Sequence, residues 1–308
     1  MIVVAGEALI DLLVDEDGAL SAIPGGGPFN TARTIARLGS DVAFLGCLSD
    51  DRFGGTLRDA LLADGVDLSL TATTDAPTTL AIAELDPGGA ATYRFHTAGT
   101  SAAQLGAEAV EAAFATGPRA VHLGTLGLVL EPMASALAAG AAATSPETLV
   151  MLDPNCRPAV IRERVAYLDR LHRVLARADV VKVSADDLAY IDPGVRAVDA
   201  ARAIRARGPA VVLLTDGGRP VTVVTADGTF EMAVPHVEVV DTVGAGDAFG
   251  GGFLARWIEL GLGRPDLGDL AAVRDATAVA IEVAALTCER HGADPPRRAD
   301  LRRSPLPS

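Results

Sequence analysis

Two aspartates flank a Gly-Ala-Gly corner in the segment Asp241–Phe253, which reads DTVGAGDAFGGGF. The backbone amides of Gly244, Ala245 and Gly246 can converge where a helix begins, and amides at that position attract anions such as phosphate. The glycines leave room for a phosphate to approach the backbone. Asp247, directly after this anion hole, has the chemistry of a base that takes a proton from an attacking hydroxyl. The segment therefore predicts phosphoryl transfer, and its structural alternative is an ordinary helix start capped by an aspartate.

Two better-known phosphate motifs do not fit this segment. A dinucleotide-binding fingerprint would need glycine where Phe249 stands, and a Walker P-loop would need Gly-Lys-Ser/Thr. The single lysine of the chain, Lys182, is followed by Val183. Phe249 and the absence of an N-terminal Gly-x-Gly-x-x-Gly argue against an NAD-dependent Rossmann enzyme. The run Gly250–Gly252 costs a helix about 1 kcal/mol per glycine relative to alanine, which indicates close packing of this helix against a neighbour.

The elements that must position these residues alternate along the chain between apolar strands and helices. Ligands of such α/β folds bind beyond the carboxyl ends of the parallel strands, so motifs directly after a strand carry most weight. The pattern predicts a three-layer α/β/α fold with a mostly parallel central sheet. The predicted strands are Ile2–Ala5, Val42–Cys47, Ala120–Leu123, Leu149–Leu152, Val180–Val183 and Val211–Thr215. The predicted helices are Asn30–Leu38, Gly55–Ala63, Pro132–Ala143 and Val198–Arg207.

Two regions break this alternation and predict a small β-sheet beside the main one. Thr79–Leu85 and Ala90–Phe95 flank DPGG at Asp86–Gly89, which is a strong hairpin signal. Leu9–Val14 is a further strand with little room for a helix before Pro24. We expect these segments, at about 10–24 and 76–100, to form a lid over the site.

The rest of the chain predicts one domain over residues 1–308, since it shows neither an internal repeat nor a linker. A second hairpin, Val221–Thr225 with Thr229–Ala233, lies late in the sequence. The tail 294–308 is rich in proline and arginine, which predicts a mobile segment.

Composition excludes several classes of protein. A formal net charge of −14 does not suit a general nucleic-acid binder, which needs a basic footprint. No apolar run is long enough for a membrane span, and no basic residue precedes the apolar N-terminus as in a signal peptide. Cys47, Cys156 and Cys288 lack metal-like spacing, so we expect reduced thiols in a cytoplasmic protein. The five histidines are scattered and give no Ser-His-Asp or zinc arrangement.

Two long motifs resemble the PfkB (ribokinase-like) carbohydrate kinase family. Asp241–Leu254 is similar to its C-terminal signature along the whole length, and Gly25–Gly39, GGGPFNTARTIARLG, is similar to its N-terminal signature. The resemblance covers most of the chain up to Asp294. It implies a ribokinase-like sandwich with a β-sheet lid, ATP and Mg²⁺ as cofactors, and a sugar as substrate.

The same resemblance assigns the sugar site and the catalytic group. It implies that Asp11, Gly26, Gly27 and Asn30 bind the sugar, that Asp247 is the catalytic base, and that residues 244–246 form the anion hole. From the residues themselves, the glycines let a ligand approach and Asn30 offers both a donor and an acceptor. Asp11 is by the same reasoning either a sugar ligand or an ordinary surface acid.

The segment Asp179–Leu188, DVVKVSADDL, joins a strand to a helix. Ser184 and Asp187 have the spacing of a capping box, which is a complete structural explanation. The family has Asn-x-x-Glu here, around the Mg²⁺-bound waters, and its fructokinase-like members share the serine. The resemblance implies Lys182 and Ser184 as nucleotide-binding residues and Asp187 as a Mg²⁺ partner through water, with Asp186 as its competitor.

Two further loops follow strands. Leu213–Pro220, LLTDGGRP, resembles the family's nucleotide loop, with Thr215 and Gly217 matching and Pro220 in place of its last glycine. Gly246 would also contact the nucleotide, and the helix Ala271–Leu286 would wall the adenine. Without the resemblance, these segments are a glycine turn and a core helix.

Leu152–Pro158, LDPNCRP, resembles fructokinase-type and 2-keto-3-deoxygluconate kinase-type members of the family. Arg157 suits a phosphate or substrate contact, because a guanidinium binds oxyanions in a bidentate manner. Its alternative is a structural pair with Asp153. The family also implies a monovalent cation such as K⁺ near Asp241.

The sequence therefore predicts an ATP-dependent sugar kinase that phosphorylates a primary hydroxyl of a hexose, with fructose first. The alternatives are a 2-keto-3-deoxygluconate kinase, a ribokinase, a nucleoside kinase, or a sugar-binding regulator that has lost turnover. Asp247 argues against the regulator, since a binder needs no base. The expected partners are a sugar and ATP, without nucleic acid or membrane, and a homodimer is a further hypothesis.

Overall fold

The computed structural model describes residues 1–14, 18–85 and 91–302. The strands in chain order are β1 (Ile2–Ala5), β2 (Leu9–Val14), β3 (Leu20–Gly25), β4 (Val42–Leu45), β5 (Cys47–Ser49), β6 (Ala72–Thr74), β7 (Leu80–Leu85), β8 (Ala91–His96), β9 (Ala120–Gly124), β10 (Leu149–Asp153), β11 (Val180–Ser184), β12 (Val211–Thr215), β13 (Val221–Thr225) and β14 (Gly228–Met232). The helices are α1 (Gly27–Arg37), α2 (Arg52–Asp64), α3 (Ala107–Ala115), α4 (Met133–Ala143), α5 (Arg164–Leu175), α6 (Ala185–Ile191), α7 (Ala197–Arg205), α8 (Ala245–Glu259) and α9 (Leu270–Cys288).

Eight strands form the central sheet, in the order β14-β13-β12-β11-β10-β9-β1-β4. The neighbours from β4 to β12 run parallel, and the late hairpin β13–β14 extends the sheet antiparallel. The parallel strands therefore end at one edge, where the predicted site residues follow them. Among the described residues, no helix has both the length and the apolar composition needed to cross a lipid bilayer.

Helices cover both faces of this sheet, as the apolar strands predicted. In β1, Val3 and Ala5 point into one core, and Ile2 and Val4 point into the other. The first core is closed by α3 to α7 and the second by α1, α2, α8 and α9. The ribokinase-like three-layer prediction is thus confirmed.

A second sheet of four strands, in the order β3-β2-β7-β8, lies beside the first and confirms the predicted small sheet. Its pairs β2–β3 and β7–β8 are antiparallel, and β2–β7 is parallel. The DPGG turn at 86–89 lies outside the described residues. The pairing of Leu80 with His96 nevertheless places the two predicted strands of that hairpin side by side.

The predicted single strand Val42–Cys47 is wrong. It is split into β4, in the central sheet, and β5, which pairs with β6 in a separate two-stranded sheet. Gly46 makes the break, because a Cβ added there would lie 2.7 Å from the carbonyl oxygen of Gly6. Only glycine allows the two backbones to come this close.

Residues 294–302, part of the tail for which mobility is predicted, form ion pairs with the domain. The Arg37 guanidinium lies 2.5 Å from the Asp294 carboxylate, and Arg297 lies 3.2 Å from the buried Asp64. A 3₁₀ turn at Arg298–Asp300 follows. Charge pairing holds this part of the tail, and residues 303–308 lie outside the described chain.

Candidate active site

Two cavities lie at the carboxyl edge of the parallel strands. The first has a volume of about 510 Å³ and the second about 460 Å³. Lys182, Thr242 and Gly246 line both, so these residues mark where the cavities meet. A group carried in one cavity can therefore reach a group bound in the other at this junction.

The first cavity gathers every residue predicted for the sugar site. Its lining includes all of them together with the predicted base: Asp11, Gly26, Gly27, Asn30, Arg157 and Asp247. Burial raises the pKa of Asp11 to about 6, against the opposing charge of Arg157. Asn30 Oδ1 is buried and has no hydrogen-bond partner in the part of the chain that the structure describes. A ligand hydroxyl donating to this oxygen would satisfy it.

Asp247 lies in the first turn of α8 and lines the first cavity. Its Oδ2 accepts a hydrogen bond of 2.9 Å from Asn30 Nδ2, and a Cβ added at Gly27 would lie 3.2 Å from its Oδ1. Burial raises the pKa of Asp247 to about 7, and the Asn30 hydrogen bond opposes this rise. A carboxyl with this pKa is suited to act as a general base near neutral pH.

The glycine turn before Asp247 is the segment predicted to form the anion hole. Gly244 is left-handed, with φ of 76°, and a Cβ added there would lie 2.5 Å from the Ala293 Cβ. A Cβ added at Gly246 would lie 2.7 Å from Lys182 Nζ. The Ala245 amide donates a long hydrogen bond of 3.3 Å to the Thr242 carbonyl. The absence of a side chain at Gly246 therefore leaves room for the Lys182 ammonium group.

Gly244→Ala should lower kcat about 100-fold, because the added methyl group displaces the turn that carries the anion hole and the base. Steady-state kinetics with a saturating substrate pair would measure the change. Gly261→Ala is the matched control, since Gly261 has φ of 78° but nothing within 4 Å of an added Cβ. Both variants carry the same backbone strain, so equal kcat values would contradict the prediction.

Lys182 and Asp153 form a buried ion pair on neighbouring strands, with 3.0 Å between Nζ and Oδ2. Burial alone would lower the pKa of Lys182, but the carboxylates of Asp153 and Asp187 raise it overall. The proposed structural pair of Asp153 with Arg157 is not formed. The Arg157 guanidinium instead donates to the carbonyls of Asn155 and Cys156, at 3.4 and 3.2 Å.

The second cavity contains the residues predicted for the nucleotide. Lys182, Ser184, Thr215, Gly217 and Gly246 line it. Its walls also include apolar side chains from α8, from α9 and from the segment after β14, namely Phe249, Ile281, Ala284, Val234, Val237 and Val239. Polar groups near the junction and apolar walls farther away suit a ligand with a phosphate end and a flat base.

A family model described as "pfkB family carbohydrate kinase" matches residues 1–300. The chain belongs to this family. A fructokinase of Klebsiella pneumoniae is 34% identical over 306 residues, which cover 98% of each chain. The structure is similar to that of a fructokinase with bound ATP from Xylella fastidiosa, with a TM-score of 0.86, 29% identity and coverage of 95% and 93%. It is also similar to a fructokinase from Vibrio cholerae O395 in a fructose, ADP and calcium ion bound form, with a TM-score of 0.81, 25% identity and coverage of 95% and 94%.

Both carboxylate oxygens of Asp187, the predicted Mg²⁺ partner, have hydrogen-bond partners within the protein. In this family member its Oδ2 accepts from both the amide and the hydroxyl of Ser184, at 2.9 and 2.6 Å. Its Oδ1 accepts from the Cys156 amide at 2.6 Å. The carboxylate thus forms the capping box of α6 and anchors the loop after β10. The exposed competitor Asp186 lines neither cavity, and a Mg²⁺ role for either residue stays a prediction.

Asp241 joins the glycine turn to the segment after α9. Its Oδ1 accepts from the Val243 amide at 3.0 Å, and its Oδ2 accepts from the Gly292 amide at 2.9 Å. These contacts stabilise the loop that carries the predicted anion hole. The monovalent cation near Asp241 stays a prediction.

Glu7 is a site residue that the sequence interpretation missed. It is 1% exposed, lines the first cavity, and accepts hydrogen bonds from the amides of Gly27 and Gly127. Burial raises its pKa to about 8, the charge of Asp247 adds to this, and the backbone hydrogen bonds oppose it. The available signal was an acid inside the apolar segment VVAGEALID, just before the predicted sugar ligand Asp11.

Asn30→Ala should move the rising limb of the pH–rate profile to higher pH. The Asn30 amide stabilises the ionised form of Asp247, so its removal raises the pKa of Asp247 above about 7. The base is active only when ionised, so kcat/KM falls most below that pKa. Measuring kcat/KM between pH 5.5 and 9 would show the shift. Asn155→Ala is the control, because Asn155 lines the same cavity and its removal leaves the Asn30–Asp247 hydrogen bond intact. If the rising limb of the pH–rate profile of the Asn30 variant lay at the same pH as in the wild type, the prediction would be wrong.

Proposed function

We propose that this family member transfers the γ-phosphoryl group of ATP to a primary hydroxyl of a hexose, with fructose as the leading substrate. One observation carries the proposal: the cavity that holds the predicted sugar residues and the cavity that holds the predicted nucleotide residues meet at Gly246 and Lys182, and the half-buried carboxylate of Asp247 lines the first of them. The similarity to proteins named fructokinase, including structures with ATP and with fructose and ADP, supports this choice.

In the proposed reaction, the sugar lies in the first cavity with its primary hydroxyl beside Asp247. The hydroxyl oxygen attacks the γ-phosphorus, a new P–O bond forms, and the bond to the β–γ bridging oxygen breaks with its electron pair leaving on ADP. Asp247 accepts the hydroxyl proton. Asn30 Oδ1 and the Asp11 carboxylate accept hydrogen bonds from other sugar hydroxyls, which fixes the orientation of the ring.

The residues at the junction would stabilise the phosphoryl group in transfer. The Gly246 amide and the N-terminus of α8 present positive partial charge to its oxygens. Lys182 Nζ adds a full charge next to Gly246, while its pair with Asp153 holds it in place. These groups are fixed before the substrate binds, so no reorganisation is needed during the reaction.

Mg²⁺ is the metal that ATP-dependent transfer requires, and the donors near the junction fit it. Asp153 Oδ1 is a buried acceptor with no hydrogen-bond partner among the described residues, so it can hold a metal-bound water. The Asp187 oxygens already accept three hydrogen bonds. The described chain has no cluster of three or more metal-binding side chains, so phosphate oxygens would supply most ligands. When bound, the ion neutralises charge on the polyphosphate.

We further propose a monovalent cation, K⁺ in the first instance, near Asp241. Its carboxylate joins the glycine turn to Gly292, so an ion there would stabilise the anion hole. Turnover should be faster with K⁺ than with Na⁺ or with neither ion. Equal rates in all three conditions would remove the cation from the proposal.

ADP release from ATP–Mg²⁺ would test the function across fructose, 2-keto-3-deoxygluconate, ribose and adenosine. The keto acid belongs in the panel because Arg157, in the first cavity, could pair with its carboxylate. We expect the highest kcat/KM with fructose. Higher turnover with another member would reassign the substrate, and binding of sugar and ATP without any turnover would favour the regulator.

We also infer that the protein works in the cytoplasm. A further hypothesis is that it forms a homodimer. The cysteines Cys47, Cys156 and Cys288 are all free thiols, as a reducing compartment would keep them. Light scattering of the purified protein would give its mass in solution. A mass of one chain, 31.5 kDa, would exclude the homodimer.

A further inference from the structure

Glu7 connects the end of β1 to two other parts of the first cavity. Its Oε1 accepts from the Gly27 amide at 3.3 Å, at the start of α1. Its Oε2 accepts from the Gly127 amide at 3.1 Å, in the 3₁₀ turn Thr125–Leu128. The same turn contacts Gly27, because a Cβ added there would lie 2.6 Å from Thr125 Oγ1. One side chain thus holds three segments of the cavity wall together.

Gly27 also lies beside Asp247, at a position where a side chain would meet the predicted base. A Cβ added at Gly27 would lie 3.2 Å from Asp247 Oδ1, which is the oxygen opposite to the one that Asn30 holds. The absence of a side chain at Gly27 therefore leaves room for Oδ1 at this position. A shift of the α1 N-terminus would change the distance between the base and a hydroxyl bound in the cavity.

We propose that Glu7 is a positioning residue, which fixes Gly27 against Asp247 and so aligns the sugar hydroxyl with its base. The inference rests on the proposed kinase function. Both oxygens of the Glu7 carboxyl group have lone pairs that can accept from the two amides, whereas an amide side chain would turn its NH₂ group, which cannot accept, toward one of them. Burying an acidic side chain at this place costs free energy of folding. The two hydrogen bonds that Glu7 accepts offset that cost and also fix the geometry of the cavity wall.

Glu7 lines the first cavity but not the second. Its loss should therefore change the kinetic constants for the sugar and leave those for ATP nearly unchanged. In Glu7→Gln, one amide loses its acceptor and the α1 N-terminus shifts. We expect kcat to fall about 10- to 100-fold and KM for the sugar to rise, because alignment with the base is lost. KM for ATP and the affinity for ADP should stay within twofold of the wild type.

The experiment compares wild type, Glu7→Gln and Asp179→Asn in steady-state kinetics with each substrate varied in turn. Asp179 is the matched control, a buried carboxylate that accepts from the Val150 amide and pairs with Arg177 at the opposite edge of the sheet. Its variant should unfold at a lower temperature with an unchanged kcat. If Glu7→Gln does not accumulate as folded protein, Glu7→Asp, which withdraws both oxygens by one methylene, should show the same kinetic separation.

Hydrogen exchange of the segment 25–31 gives a readout that does not depend on turnover. We expect faster exchange of the Gly27 amide in Glu7→Gln than in wild type or Asp179→Asn. Unchanged exchange at Gly27, or a kcat equal to the wild type, would overturn the proposal. A wild type that turns over no sugar of the panel would refute the kinase function instead, and the exchange result would still decide whether Glu7 fixes Gly27.

Discussion

Replacing Asp247 by Asn should reduce kcat about 100- to 10,000-fold, which is the usual contribution of a general base. The substitution keeps the shape of the side chain, and the Asn carbonyl can still accept the hydrogen bond from Asn30 Nδ2. Only the ability to take the hydroxyl proton is lost. Sugar affinity, measured by calorimetry, should therefore stay within a few-fold of the wild type, and ADP release should show the loss.

The control for this variant is Asp269→Asn. Asp269 caps α9 by accepting from the amides of Ala271 and Ala272, and asparagine is an equally good cap. If Asp247 only capped α8, its Asn variant would be as active as the Asp269 variant. Full activity of both proteins would therefore refute the catalytic role.

The Asp247→Asn protein should also be more stable, increasingly so at higher pH. The pKa of Asp247 is about 7 in the folded protein, against 3.8 for an ordinary aspartate, because burial disfavours the charge. The folded state therefore binds this proton more tightly than the unfolded chain, and the stability it contributes is lost as pH rises through about 7. Asparagine does not titrate. The gain in free energy of unfolding should grow by on the order of 2 kcal/mol between pH 5 and pH 8, as urea titrations would show. A gain independent of pH would contradict the assignment of this pKa.

Much of the fold could be predicted from the alternation of apolar runs and helical segments in the sequence, because a strand buried on both faces is a continuous apolar run. Helix starts were less accurate. The helix predicted from Asn30 begins at Gly27, since Pro28 suits its first turn, and the helix predicted from Gly55 begins at Arg52, since Asp51 caps it. Local signals for both starts are present in the sequence but are weaker than the apolar pattern.

The candidate site divides in a similar way. Residues within contiguous motifs, such as Gly27, Asn30 and Asp247, were predicted, and the structure brings them into one cavity. Contacts between distant segments could not be predicted: Lys182 pairs with Asp153 rather than leaving Asp153 to Arg157, and Glu7 joins Gly27 to Gly127. Which of several possible partners a buried charge takes depends on strand order and register, and single motifs do not contain that information.

Lys182→Met should lower stability and activity together, and a second substitution should separate the two effects. Methionine matches the length of lysine but leaves the fully buried Asp153 without its partner, which typically costs about 3–5 kcal/mol. In the double variant Lys182→Met/Asp153→Asn, no unpaired charge remains, so most of the free energy of unfolding should return. Its activity should not return, because the lysine charge proposed to face the phosphoryl group at Gly246 and the Asp153 oxygen proposed to hold a metal-bound water are both missing. Urea denaturation and kcat, measured on the same preparations, would test both statements. A double variant with a tenth or more of wild-type kcat would mean that Lys182 serves only to neutralise Asp153, and phosphoryl stabilisation would then fall to the Gly246 backbone and the α8 N-terminus alone.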